Sequence, residues 1–378
     1  MSVSFKLLHT DKQSKARAGI VSTDHGDIET PIFMPVGTSA TVKAVHQQEL
    51  SSAIKAQIIL GNTYHLYLRP GMDVIEHAGG LHSFMNWHKP ILTDSGGYQV
   101  FSLSSTRKIK KEGVLFNSHL DGSKHLFTPE KVVDIQRILG SDIMMALDEC
   151  PPYPSDRVYT KKSLVITHDW LEKGIQHFEK TNSNYGHQQC FVPICQGSIY
   201  EDLRLESIDF ITRYSNPIYA IGGLSVGEPE SELNELVRIS CGALPTESAR
   251  YLMGVGTPQN ILNCIERGID LFDCVLPTRN ARHGVLYTTQ GIINIKNLKW
   301  KEDFSPIDEA LDLGSSQQHS KSYLRHLFLA KEILASQLAS LQNLRFFMWL
   351  VEEARKQILQ NTFFNWKENI LPVISKKI

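Results

Sequence analysis

Three aspartates in this 378-residue chain stand where short apolar runs end: Asp94 after ILT, Asp148 after IMMAL and Asp273 after DLF. Other runs end in Asn62, Gln196, Gly223 and Gly256. Carboxylates that converge on one opening can divide the labour of acid/base and nucleophilic chemistry, one moving a proton while another attacks carbon. Gln196 offers both a donor and an acceptor, and the backbone of the GGL stretch at 222–224, with Gly223 and Leu224, offers further donors. Together with Asp148, which accepts from ring and amino N–H groups, these would read a guanine-like heterocycle. In T-D-S-G-G-Y-Q (93–99), Ser95, Gly96 and Gly97 lead from Asp94 to Tyr98. The glycines let backbone approach a flat ligand on which the Tyr98 ring can stack. Plainer readings stay open: Asp94 and Asp148 as caps of following helices, and Asp273 as a salt-bridge partner of Arg279 or Arg282 in L-F-D-C-V-L-P-T-R-N-A-R-H-G.

Such groups need a frame. Apolar runs at 33–38, 57–62, 90–94, 142–148, 190–196, 218–223, 250–256 and 270–276 alternate with amphipathic segments near 46–55 and at 159–181, 201–213, 229–241 and 258–267. The alternation predicts an α/β fold, a (β/α)8 TIM barrel, whose functional groups gather at the C-terminal ends of its strands. Residues 104–127 alternate and contain a DG turn, which predicts a hairpin inserted on the barrel rim. Its basic RKIKK run is either a solvated turn or a phosphate contact. VLYTTQGIINI predicts a second hairpin around Thr289-Gln290-Gly291, and helical spacing dominates from about residue 320. We expect a catalytic barrel with N-terminal strands over 1–295 and a mainly helical lobe, packed on it, over 296–378.

With 42% hydrophobic residues the chain can bury a large core, yet no apolar stretch approaches the roughly 18–20 residues of a membrane helix. The N-terminus has no apolar signal core, and six cysteines lie scattered without disulfide or C-x-x-C spacing, so a cytoplasmic location is expected. A formal net charge of −1 gives no global basic signal, so a nucleic-acid partner must be gripped by local patches.

Seven ordered motifs carry a resemblance: T-P-I-F-M-P-V-G-T, G-N-T-Y-H-L-Y-L-R-P-G, T-D-S-G-G-Y-Q-V-F-S-L, A-L-D-E-C, Y-A-I-G-G-L-S-V-G-E, Y-L-M-G-V-G-T-P and F-D-C-V-L-P-T-R-N-A-R. From about residue 4 to 367 the chain resembles the bacterial tRNA-guanine transglycosylases, the queuine tRNA-ribosyltransferase family. The resemblance implies exchange of guanine for a 7-deazaguanine base at the wobble position (34) of tRNAs with a G-U-N anticodon, those for Asp, Asn, His and Tyr, without an organic cofactor. It casts Asp273 as nucleophile on the ribose, Asp94 as proton acceptor and donor, and Asp148, Gln196, Gly223 and Leu224 as the base-reading set. Tyr98 and Met253 would sandwich the heterocycle. Gly254, Val255, Gly256, Thr257, Pro258, Gln259 and Asn260, with Thr278, Arg279, Asn280, Ala281 and Arg282, match the tRNA-contacting segments. Cys150 and Val226 fit members that accept 7-aminomethyl-7-deazaguanine rather than queuine. A homodimer is also implied.

Two small departures are Ser198, where relatives have glycine, and Ser225, where they usually have alanine. A larger one concerns zinc. The family's C-x-C-x-x-C run and downstream histidine align with Leu311, Leu313, Ser316 and Gln342, and leucine offers no donor atom. The expectation is therefore no metal, with His319 and His326 too far apart to rebuild a site. Alternative readings are a non-catalytic tRNA-binding partner subunit, a queuine-inserting enzyme, and an archaeal-type transglycosylase.

Overall fold

The structure, a computed structural model, describes residues 3–103 and 107–378, with the backbone alone for 101–103. Eight short parallel strands form its centre. They are Ile32–Met34 continuing as Val36–Gly37, then Ile59–Gly61, Ile91–Thr93, Ile143–Met145, Cys190–Val192 continuing as Ile194–Cys195, Ile218–Ile221, Ala249–Leu252 and Leu271–Asp273. Pro35 and Pro193 interrupt the first and fifth, because proline has no N–H to donate. Their carbonyls still accept, from Leu60 N at 3.0 Å and Ala220 N at 3.1 Å. The first strand pairs with Leu271–Asp273 before its proline and with Ile59–Gly61 after it, and the fifth pairs with the fourth and then the sixth. With the remaining parallel pairs, the ladder passes through all eight strands and returns to the first. Strand residues are almost all buried, as expected where helices cover the outside and side chains fill the inside.

Each strand is shorter than its apolar run. Residues past the paired segment bend toward the opening, so Asp148 lies three positions beyond Met145, whereas Asp273 is the last residue of its strand. The predicted helices appear as Gln47–Ser52, Arg157–Lys180, Glu201–Ile211, Glu230–Ala243 and Pro258–Glu266. Asp156 caps Arg157–Lys180 through Tyr159 N, and Thr257 caps Pro258–Glu266 through Asn260 N.

Residues 104–106 of the predicted rim hairpin lie outside the described residues. The rest forms not two but three antiparallel strands, Lys108–Lys110, Gly113–Asn117 and Lys124–Phe127. Gly113 makes the extra turn possible: its φ is +153°, and a Cβ there would fall 2.1 Å from the Phe127 carbonyl oxygen. The second hairpin is present as Val285–Thr288 and Gly291–Asn294.

An antiparallel sheet of Ser4–Thr10, Arg17–Thr23 and Gly26–Thr30 lies at the end of the barrel where strands begin. Its Arg17 forms a buried ion pair at 2.5 Å with Asp270, the residue before the eighth strand, and donates to Thr246 and Ser248 carbonyls just ahead of the seventh. The 27-residue helix Ile333–Leu359 packs across the outside, with Phe347 4.9 Å from Phe33 of the first strand. Among the described residues no helix is long and apolar enough to cross a membrane.

Candidate active site

A cavity of about 540 Å³ opens at the C-terminal ends of the strands, lined by groups from most of them. Asp94, Ser95, Gly96, Gly97, Tyr98, Asp148, Gln196, Gly223, Leu224, Met253, Gly254 and Asp273 all face it, so every predicted catalytic and base-binding residue meets in one place. The three carboxylates are held differently, and those differences assign the chemistry each can do.

Asp94 is saturated with donors. Oδ1 accepts from Thr63 N at 2.8 Å and Gly96 N at 3.2 Å, while Oδ2 accepts from Gln99 Nε2 at 2.8 Å and from Asn62 Nδ2. The bond to Gly96 N closes a local turn just ahead of the helix Gly97–Leu103. Burial pushes its carboxyl up to about 6, against the pull of those donors, and the nearby Asp273 charge adds to the rise. A carboxyl titrating near 6 can both give and take a proton close to neutrality.

Asp273 receives both its bonds on Oδ1, from Tyr251 Oη at 2.7 Å and Gly254 N at 2.9 Å. No other hydrogen bond reaches it among the described residues, so Oδ2 remains available for attack. Arg279 and Arg282 make no ion pair with it, which sets the salt-bridge reading aside. Burial raises its pKa as well.

Asp148 is not the cap of the helix that follows it, a place taken by Asp156. Its Oδ2 accepts from Gln196 Nε2 at 2.6 Å and its Oδ1 from Ser95 Oγ at 3.4 Å, and burial pushes it up to about 6. Gln196 Oε1 is buried with no partner among the described residues and is thus poised for a ligand donor. Gly223 adopts φ +67°, and a Cβ there would lie 2.3 Å from Gln196 Oε1, so only glycine lets the amide sit here.

Tyr98 is 52% exposed, presenting its ring at the mouth, with the half-buried Met253 on the same cavity. Cys150, Ser225 and Val226 line it too. Ser198 has φ +50° and a buried hydroxyl without a partner among the described residues, so the chain carries strain here that glycine would relieve.

The predicted RNA-contacting residues divide. Gly254, Thr257 and Arg279 are exposed, Gln259, Asn260, Asn280 and Arg282 half-buried, and Val255, Gly256, Pro258, Thr278 and Ala281 buried. Asn280 donates to Tyr287 Oη at 2.8 Å, and Arg282 donates to the Thr278 carbonyl at 2.8 Å. Buried members shape this surface; exposed ones can touch a polymer.

Several contributors were given no role in the sequence reading, although Tyr251, Gln99 and His65 lie inside the motifs quoted above. Tyr251 and Gln99 hold the two carboxylates, and His65 lines the cavity. Arg204, fully buried within Glu201–Ile211, donates to the carbonyls of Ser198, Gly222 and Gly223 and so fixes the base-reading loops from beneath. An arginine on the apolar face of a helix was the available clue.

In the C-terminal lobe, Leu311, Leu313, Ser316 and Gln342 are all buried. Ser316 Oγ donates to Gln342 Oε1 at 2.5 Å, and Gln342 Nε2 donates to the Tyr287 carbonyl at 2.8 Å. Two leucines supply no donor atom, so these four side chains do not fit a four-ligand zinc centre.

Comparison with known proteins agrees with this geometry. A family model described as Queuine tRNA-ribosyltransferase matches residues 11–375. Proteins named queuine tRNA-ribosyltransferase are 52% identical over 370 residues in Caldanaerobacter subterraneus subsp. tengcongensis, covering 98% of this chain and 97% of the relative. The one from Aquifex aeolicus is 50% identical over 384 residues, covering 99% and 100%. That from Oleidesulfovibrio alaskensis is 53% identical over 363, covering 96% and 94%. With the match running through the barrel, its carboxylates and the C-terminal helices, the chain belongs to the queuine tRNA-ribosyltransferase family.

Proposed function

We propose that the protein is a tRNA-guanine transglycosylase that exchanges guanine at the wobble position of G-U-N tRNAs for 7-aminomethyl-7-deazaguanine, through a covalent ribosyl-aspartate. The observation that carries this is the unequal treatment of Asp94 and Asp273 on one cavity: one carboxylate fully donated to, the other bonded on a single oxygen. Asp273 Oδ2 bonds to the ribose C1′ as the bond from C1′ to guanine breaks, and protonated Asp94 supplies the proton that guanine takes as it leaves. The incoming base then gives its N–H proton to Asp94, its nitrogen bonds to C1′, and the Asp273 ester bond breaks. Two displacements retain the sugar configuration, the same two-carboxylate logic as a retaining glycosidase.

Recognition follows from the remaining groups. Asp148 accepts from the N–H edge of the base, while the second hydrogen of Gln196 Nε2 and the backbone N–H groups near Gly223 and Leu224 donate to its oxygen. Flipping the nucleotide out costs about a few kcal/mol, which stacking between Tyr98 and Met253 offsets in part. Cys150 and Val226 occupy room that a bulkier queuine would need. Arg279 stands at the mouth for the tRNA backbone or wobble neighbours.

A non-catalytic tRNA-binding subunit would have no need of two buried, costly carboxylates, which disfavours that reading. We take the lobe to be zinc-free at Leu311, Leu313, Ser316 and Gln342, the site being replaced by apolar packing and the Ser316–Gln342 bond. A cytoplasmic homodimer accompanies this reading. Incubation with labelled guanine and a G-U-N tRNA tests it: label should enter the tRNA and be chased by the aminomethyl base far better than by queuine. No incorporation would refute the activity; an equal chase by queuine would refute the choice of base.

A further inference from the structure

At the opposite end of the barrel, His25, His82, Asp142 and His187 bring one ligand-type atom each to within 4.8 Å of one another. They come from four separate places: the turn between Arg17–Thr23 and Gly26–Thr30, the helix Gly80–Met85, the residue before the fourth strand, and the loop before the fifth. We propose that these four side chains bind one zinc-type divalent cation, which ties the N-terminal sheet to the base of the barrel.

Asp142 is a fixed point. Its side chain has no solvent exposure, its Oδ2 accepts from Ile91 N at 2.8 Å, and its backbone bonds Ile91 and Cys190 at the starts of the flanking strands. Its Oδ1 lies 2.7 Å from His25 Nδ1. His82, only 8% exposed, has Nδ1 at 2.9 Å from the Trp87 carbonyl, which can only accept, so that nitrogen carries the proton. Its other nitrogen, Nε2, is buried, has no hydrogen-bond partner among the described residues, and faces Asp142 Oδ2 at 3.4 Å. An acceptor nitrogen aimed at a carboxylate oxygen is satisfied by a cation between them. His187 repeats the pattern: Nε2 bonds the Gly140 carbonyl at 2.9 Å, leaving Nδ1 as the donor atom. A backbone carbonyl holding the far ring nitrogen is how proteins orient metal-binding histidines.

Three imidazoles and a carboxylate suit zinc or a similar borderline ion, and nitrogen donors argue against magnesium and calcium. Bonds of about 2.0–2.2 Å place tetrahedral donors roughly 3.3 Å apart, so the cluster must contract. His25 and His187 are half-buried on a turn and a loop, and these are the members free to close in. His25 already stacks on His82 at 3.8 Å.

The test uses the full chain, stripped with chelator, given one equivalent of zinc, dialysed and analysed for metal and thermal stability. The parent and Ser316→Ala, altered in the C-terminal lobe, should each retain one zinc per chain and melt higher with zinc than without. His25→Ala and His187→Gln should bind zinc more than about tenfold more weakly and melt alike in both conditions. X-ray absorption of the loaded parent should show only nitrogen and oxygen neighbours. Failure of the parent to retain zinc, stoichiometric zinc in both histidine variants, or a sulfur shell would each overturn the proposal.

Discussion

Burial of Asp148 links the proposed reading of the base to the stability of the fold. Its carboxyl is raised from 3.8 to about 6, so between those pH values the folded protein holds a proton that the unfolded chain releases. Stability from this group is therefore full below about pH 4 and is lost as pH rises through about 6, a difference on the order of 2–3 kcal/mol. Asp148→Asn should remove that loss. In denaturant unfolding it should gain stability over the parent at pH 8 and gain none at pH 4; equal differences at both would show that the carboxylate is not strained by burial. Guanine exchange by the parent should fall as pH drops below about 6, because a protonated Asp148 offers the base a donor where an acceptor is needed. Asp148→Asn should exchange poorly at every pH.

The short helix Leu276–Arg282 follows Asp273 directly and presents two arginines differently. Arg279 is exposed on the cavity, whereas Arg282 is half-buried and engaged with the Thr278 carbonyl. Arg279→Ala should weaken tRNA binding by about 1–3 kcal/mol and flatten its salt dependence. Arg282→Ala should do less, and a larger effect there in binding titrations across ionic strength would reverse the assignment. Elements with repeating local signals were legible in the sequence: the helices through their amphipathic spacing, Asp94, Asp148 and Asp273 through their positions after apolar runs. The rim insertion was half legible, since Asp121-Gly122 announces one turn while the turn before Gly113 depends on backbone meeting Phe127 across the sheet. Arg204 and Tyr251 were not legible, because their worth lies in bonds to loops far along the chain.

Across the whole molecule, the barrel separates two clusters of polar side chains, the carboxylates where strands end and the histidines around Asp142 where they begin. The second was invisible in the sequence because His25, His82 and His187 have no metal-motif spacing and meet only once the N-terminal sheet docks. The lobe is tied in by Asn343 of Ile333–Leu359, which bonds the Pro277 and Val285 carbonyls and Tyr287 N, thereby bracing the segment after Asp273. That bracing holds the end of the Asp273 strand in register with Tyr251 and Gly254. The direct test of this arrangement is a denaturing gel of the parent and Asp273→Asn, each mixed with labelled G-U-N tRNA and a base that stalls turnover. An amide of nearly the same shape is a far poorer nucleophile, so the parent should give a denaturation-resistant tRNA–protein band and the variant none. An equally strong band from Asp273→Asn would place the covalent bond on another residue and contradict the account.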